Sequence, residues 1–343
     1  MRHYSFTPGS FHVRVPRRVF WVNLIAAGSC LVFGLFALTL GDYPLSVGDV
    51  VRAITGEHAD PLARYFVQDL RAPRVLAALL VGAALGLSGA IFQSITKNPL
   101  GSPDLTGFTT GAATGAVSAI IIFQATPVGV SLGAVVGGFV TGALVYSLSR
   151  SRGVTGIRFV LIGVGVSFFL RGVNSLLVVR TSLDRAQQSQ LWLAGSFNAV
   201  GWNSVAALGA VLAVSIPVGV ALSRPMAVMM TCDELATSLG VPVSHRRAQL
   251  LALGVILTAV AVAAAGPISF VALAAPQIAK FLARESVTSF GSSVLVGALL
   301  VLVSDVVAQR IIAPAQLPVG VVTGVMGGFY LIGLLIYMGR KQK

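Results

Sequence analysis

The sequence predicts an all-α polytopic membrane protein, one transmembrane domain over residues 1–343 built of ten spanning helices. Three observations carry that expectation. First, 55% of the 343 residues are hydrophobic, 38 more are glycine, and only 10% carry charge. A soluble domain is about 45–50% apolar and roughly 25% charged, so this chain lacks the polar surface to cover a water-borne body. Second, the apolar residues fall in charge-free runs of span length, ~20 residues each. Third, both ends of the chain are basic, which favours an even number of crossings. A soluble enzyme, a disordered regulator and a collagen-like fibre are excluded.

The runs come in order. Val19–Gly41 follows Arg14, Arg17 and Arg18; it is long for a signal-peptide core and lacks an obvious cleavage site, so it reads as a retained first span behind a cytoplasmic tail of residues 1–18. Val75–Thr96 is the second. Leu105–Ser149 is too long for one crossing and breaks at Gln124–Gly129 around Pro127. Phe159–Val179 is interrupted only by Arg171, and Asn203–Ser223 follows a polar, Gln-rich segment. Ala248–Ala279 again exceeds one crossing and contains Gly266-Pro267, a chain-reversal signal. Val287–Ser304 and Gly320–Met338 complete the ten.

Counting basic residues orients them. With the N-terminus in the cytoplasm, the inside receives sixteen Lys and Arg and the outside seven, with Arg171 within a span. That asymmetry fits the positive-inside rule and puts both termini in the cytoplasm. Two polar segments remain. Asp42–Arg74 lies outside and holds a surface helix around Val47–Ile54. Residues 225–247 form an inner loop whose centre, Thr231–Leu239, carries helix-start chemistry: Thr231 as N-cap, then Asp233 and Glu234 in the first turn. Gly240 and Pro242 stop it.

Several chemistries are missing from the sequence. It has no G-x-x-x-x-G-K-[ST] loop and no Gly-Lys pair at all, so it cannot cradle a nucleotide in the usual way. His3, His12, His58 and His245 are scattered outside the spans, and Cys30 and Cys232 give no framework; no metal or other cofactor is expected. The net charge of +13 is dispersed between apolar runs rather than gathered on one face, which argues against nucleic acid. Transport remains. Gly82, Gly86 and Ala90, and the Gly133, Gly137, Gly138 and Gly142 group, have the small-x-x-x-small spacing that lets helices approach closely in lipid. Asn98–Asp104, Gly266–Phe270 and Gln316–Gly320 are proline-broken flanks, and irregular backbone at membrane depth is tolerated where it lines a cavity. An ion-coupled secondary transporter is the rival from another class; it requires acidic sites near the midplane, and Asp305 is the candidate.

These irregular segments resemble the permease family of iron-siderophore, haem and cobalamin ATP-binding-cassette importers. The matching stretches are Arg71-Ala-Pro-Arg74, Gly82–Ala90 with Gln93, Asn98–Gly107, Gly111-Ala112, Leu239–Val243, Gly266–Ala279, Ser304-Asp305 and Leu317–Thr323. They run in the family's order from about residue 70 to 330. Within it, the patterns are most similar to the catecholate, ferric enterobactin type. The resemblance implies ten helices per subunit in the type II importer architecture and a pathway between two permeases, usually distinct homologues. It also implies two ATP-hydrolysing subunits below, a substrate-binding protein above, and a bacterial cytoplasmic membrane. This chain is then a transport subunit and not itself an enzyme. Haem, cobalamin and hydroxamate chelates are alternative cargoes.

The resemblance also assigns candidate residues. Arg71 and Arg74 stand where the family docks acidic residues of the binding protein, and complementary charge fixes register and on-rate. Arg310 falls one residue late against the family's third arginine. The Thr231–Gly240 helix matches the coupling loop that fits a groove on the ATPase, with Asp233, Glu234, Ala236 and Gly240 as test positions. Arg171 and Asn174, three apart in the fifth span, share one helical face. On cost alone, an arginine at depth faces the bundle interior or water, where it either bonds a carbonyl or lines the route of an anionic ferric catecholate. Asp305 is assigned a structural pairing with an interior donor.

Overall fold

A computed structural model describes residues 3–6, 13–41, 43–57, 60–149, 156–284 and 289–341. Arg2, His12, His58, Arg150, Arg152 and Lys343, and the start of the run at Val287, lie outside the described residues. Apart from a short antiparallel pair, β1 (His3–Phe6) with β2 (Val13–Pro16), the described chain is helical.

Among the described residues, seven helices are long and apolar enough to cross a membrane. They are α1 (Arg17–Thr39), α4 (Ala72–Thr96), α6 (Pro127–Ser149), α7 (Gly156–Val179), α9 (Trp202–Met229), α11 (Val243–Ala265) and α13 (Phe290–Arg310). Three shorter apolar helices, α5 (Phe108–Ile121), α12 (Val271–Ala283) and α14 (Val319–Lys341, apolar over Val319–Gly333), fall on the remaining predicted runs. Both over-long runs divide where the sequence indicates, at Pro127, which opens α6, and at Gly266-Pro267 between α11 and α12. The four other helices are α2 (Val47–Thr55), α3 (Pro61–Tyr65), α8 (Leu183–Leu193) and α10 (Asp233–Ser238).

Helix α4 is the axis of the bundle. Of its apolar window 83% is buried inside the protein, against 17% for α1. Lipid provides no hydrophobic drive between helices, so close packing and interhelical hydrogen bonds must hold them together. The α4 glycines provide the first: a Cβ on Gly82 would strike the Gly297 carbonyl of α13, and one on Gly86 the Ser293 carbonyl. Ser88 and Gln93 provide the second. Ser88 Oγ donates to Gly254 O of α11 at 2.9 Å, and Gln93 Nε2 to Leu273 O of α12 at 2.9 Å. Gln277 then donates to Gln93 Oε1 at 2.6 Å, so the amide is used on both sides. Phe92, Phe108 and Phe159 stack between α4, α5 and α7.

Several boundaries differ from the sequence reading. Helix α9 continues past Ser223 through Arg224 and Pro225 to Met229. The segment before Val75 holds the expected helix around Val47–Ile54 as α2, and beyond it a helix continuous from Pro61 into α4, with a π-helical turn at Phe66–Arg71. Helix α2 is bounded by a capping box between Ser46 and Asp49 and by Gly56 in the left-handed region. The Gln-rich segment folds as α8. In the inner loop the N-cap is Cys232, not Thr231: the Cys232 sulfur accepts from Leu235 N at 3.4 Å, while the Thr231 hydroxyl turns back to Val228 O.

Candidate functional site

The broken segments converge on one cavity of about 550 Å³. Its wall takes Arg171, Asn174 and Ser175 from α7, Gln190 from α8, Pro267 and Ser269 from the α11–α12 link, and Asp104 and Thr109 from the α4–α5 link and α5. Asn174 is buried, and its Oδ1 has no hydrogen-bond partner. Arg171 and Asn174 thus meet at one cavity, as their shared face requires.

Asp104 is the residue that the sequence reading did not single out. Thr109 Oγ1 donates to its Oδ1 at 2.7 Å, and the Phe270 backbone N–H donates to its Oδ2 at 3.1 Å. Phe270 lies at φ 68°, a strained conformation for a bulky residue. One carboxylate therefore ties the Asn98–Gly107 loop to the Gly266–Phe270 loop and fixes the irregular turn. The signal was available: Asp104 is the only acidic residue in the Asn98–Gly107 stretch.

Glycine permits the loops to close around the cavity. Gly195 and Gly266 both have positive φ, at 71° and 72°, and a Cβ on Gly266 would come within 3.1 Å of Gly195 Cα. Ser196 N donates to Ala265 O at 2.8 Å across the same contact.

At the N-terminal end of α4 the two candidate docking arginines are engaged within this chain. Arg71 is only 9% exposed; its Nη1 donates to Leu38 O and its Nη2 to Tyr43 O, at 2.9 and 2.6 Å. The expectation of a surface Arg71 is corrected accordingly: the π-helical turn rotates it against the end of α1. Arg74 forks onto Asp305 of α13 and donates to Gln316 Oε1 at 2.9 Å. Asp305 also accepts from Gln309 at 2.8 Å, so its pairing with an interior donor is observed and the donor is Arg74. Arg310 Nη2 reaches Gly41 O at 3.4 Å.

At the opposite end lies α10. Asp233 pairs with Arg247 of α11 at 2.8 Å and with Lys97, the left-handed residue ending α4, at 3.5 Å. Burial pushes the Asp233 carboxyl up, but the Arg247 hydrogen bond and the two cations outweigh it and hold it below the usual carboxylate range. Ala236 is fully buried, so it faces the bundle rather than outward. Glu234, Leu235 and Leu239 are exposed, and Gly240 takes φ 81° to end the helix. Among the described residues no group of three or more His, Cys, Asp or Glu could hold a metal.

Comparison with known proteins matches residues 29–337 to the model of the FecCD transport family. The chain is 41% identical to the ferric enterobactin transport system permease protein FepG of Escherichia coli (strain K12) over 330 residues, covering 96% of this chain and all of that protein. It is 36% identical over 304 residues to the achromobactin transport system permease protein CbrC of Dickeya dadantii (strain 3937), covering 88% of this chain and 86% of that one. Among solved structures, an inward-facing metal-chelate type ABC transporter superimposes with a TM-score of 0.81 at 29% identity, over 94% of this chain and 100% of that one. The helical bundle, its broken links and these matches lead to one conclusion: this chain is a membrane permease and belongs to the FecCD transport family.

Proposed function

We propose that this chain is the permease subunit of an ATP-binding-cassette importer that carries a ferric siderophore, of the catecholate type, into the bacterial cytoplasm. The single observation that carries the cargo class is the near-full-length identity to the ferric enterobactin permease. The cavity supports it: Arg171 offers a cation to a metal chelate bearing negative charge, and the unpartnered Asn174 Oδ1 offers an acceptor to a donor group on that chelate. In this reading the chain crosses the membrane ten times, the three short helices included, with both termini inside.

The cycle follows from the parts. A substrate-binding protein docks on the face at the start of α4, where Arg74 is partly exposed beside Asp305; Arg71, buried against the end of α1, supports that face from within. Two ATP-binding subunits lie below, one of them gripping α10 through Glu234 and the exposed Leu235/Leu239 pair, a helix laid in a groove. A second, homologous permease forms the other wall of the path. Their nucleotide cycle moves α10. Asp233 passes that motion to Lys97 and so to the Asn98–Asp104 loop, which ends on the cavity. This chain contributes no hydrolytic step.

The ion-coupled rival loses ground on geometry. Asp305 is occupied by Arg74 and Gln309, and Asp104 by Thr109 and Phe270. Uptake of labelled ferric enterobactin by a strain lacking this chain, with and without the chain restored, tests the cargo. Restored uptake of ferric enterobactin over haem, cobalamin and a ferric hydroxamate is expected; restored uptake of one of those alone transfers the assignment to it.

A further inference from the structure

A second recess lies away from the cavity, between α9 and α11. Its volume is about 760 Å³, within the roughly 300–1,000 Å³ of small-ligand sites. Its lining is apolar along Val211, Val214, Val218 and Leu222 of α9 and Leu253 and Ile256 of α11. The polar exceptions include Arg246 and Gln249 of α11. Val214 and Val218 are well exposed, so the recess opens on the bundle's apolar outer surface.

Arg246 sets the chemistry. Its Nη1 donates to Gln249 Oε1 at 3.0 Å, which holds the guanidinium in the recess. Its Nε is buried and has no hydrogen-bond partner. The next residue, Arg247, has Asp233, but no carboxylate among the described residues pairs with Arg246. A half-buried cation with an unused donor is costly unless an anion meets it.

Length sets the occupant. Arg246 and Ile256 are ten residues apart on α11, or ~15 Å at 1.5 Å per residue. That is half the ~30 Å hydrocarbon core, the depth of one acyl chain from its headgroup. Basic pockets between spanning helices at the cytoplasmic end suit anionic headgroups. We propose that the recess between α9 and α11 binds one anionic phospholipid, its phosphate on Arg246 and one acyl chain along the apolar wall. Because Arg247 carries the ion pair to α10, the bound lipid would sit beside the helix assigned to the ATPase contact. The site itself depends on neither cargo nor ATPase, so its failure leaves the proposed function standing.

Native mass spectrometry of the purified full chain, offered equal phosphatidylglycerol and phosphatidylcholine, tests it. One phosphatidylglycerol per chain is expected, with about a fivefold preference, the size of one basic residue's effect at an anionic lipid surface. Arg246→Gln should bring the two lipids to parity, and Arg246→Lys should keep most of the preference. Val214→Trp, which leaves the cation in place, should lower retention of the lipid; Leu132→Trp on the exposed face of α6 should not. The Trp pair also serves if Arg246→Gln does not fold. Equal preference in wild type and Arg246→Gln overturns the proposal. So does equal loss in both Trp variants, or release of the lipid by inorganic phosphate alone.

Discussion

Arg74 and Asp305 lie 231 residues apart in sequence and share a two-pronged ion pair, Nη2 to Oδ1 at 2.9 Å and Nε to Oδ2 at 3.0 Å. Their side chains are 15% and 1% exposed. The pair clamps the start of α4 to the end of α13, along the same interface that Gly82 and Gly86 bring into backbone contact.

Removing one partner from a buried pair leaves an uncompensated charge and costs ~3–5 kcal/mol, whereas removing both costs far less. Arg74→Gln is therefore expected to destabilise the detergent-solubilised protein strongly, and Arg74→Gln with Asp305→Asn to recover much of the loss. Thermal unfolding of the two singles and the double, read as a cycle, checks this. Additive losses would mean that the pair contributes no coupling.

Asp104 should behave as a loop clamp. Asp104→Ala leaves the Phe270 N–H without its acceptor, a loss of about 1–3 kcal/mol for a buried donor, and frees the strained turn at the cavity. Asp104→Asn keeps one acceptor oxygen and should be milder. Thermal stability together with cargo uptake ranks them: wild type, then Asn, then Ala, is the expected order in both.

Glu234 and Ala236 separate lever from scaffold. Glu234 is exposed, so Glu234→Arg should change stability by no more than ~0.5 kcal/mol while abolishing uptake through loss of the proposed ATPase contact. Ala236 is fully buried, and Ala236→Glu should lower stability itself. Normal uptake by a well-folded Glu234→Arg variant would favour an ion-driven transporter.

Tyr43 gives a pH signature outside the bundle. Its hydroxyl donates to Asp60 Oδ2 at 2.6 Å, and that hydrogen bond, with smaller contributions from burial and the nearby carboxylates, pushes the phenol up. A raised folded pKa means the bond's stabilisation is complete below the free tyrosine value of ~10. It is lost as pH rises through the folded value. The phenolate absorbance of wild type minus Tyr43→Phe should thus appear at higher pH than in an Asp60→Ala background. Identical titrations would show that the bond is absent in solution.

The division into spans was legible because charge and proline interrupt apolar runs, and interruptions are local. Gly82, Gly86 and Gly133 announced close packing by their spacing, but not the partners, since which helix meets which is a property of the assembled bundle. Helix α8 was missed because its Gln-rich composition reads as loop when its packing beside the cavity is unknown. The Arg71 motif points to a docking face, whereas Arg71 ends the π-helical turn before α4, which no residue spacing signals, and is buried. Arg171 and Asn174 were legible from cost and periodicity, whereas Asp104 acquires its role from the Phe270 N–H, 166 residues away. The N-cap at Cys232 displaced Thr231 because the thiol, a weak acceptor, sits at the required position when α9 runs on to Met229.

The most direct measurement is transport into sealed vesicles containing this chain and its partner permease, with the binding protein loaded with ferric siderophore. The account predicts uphill accumulation only when the ATP-binding subunits and ATP are both present, and none with Glu234→Arg. Accumulation against the gradient without any ATP-binding subunit would contradict it.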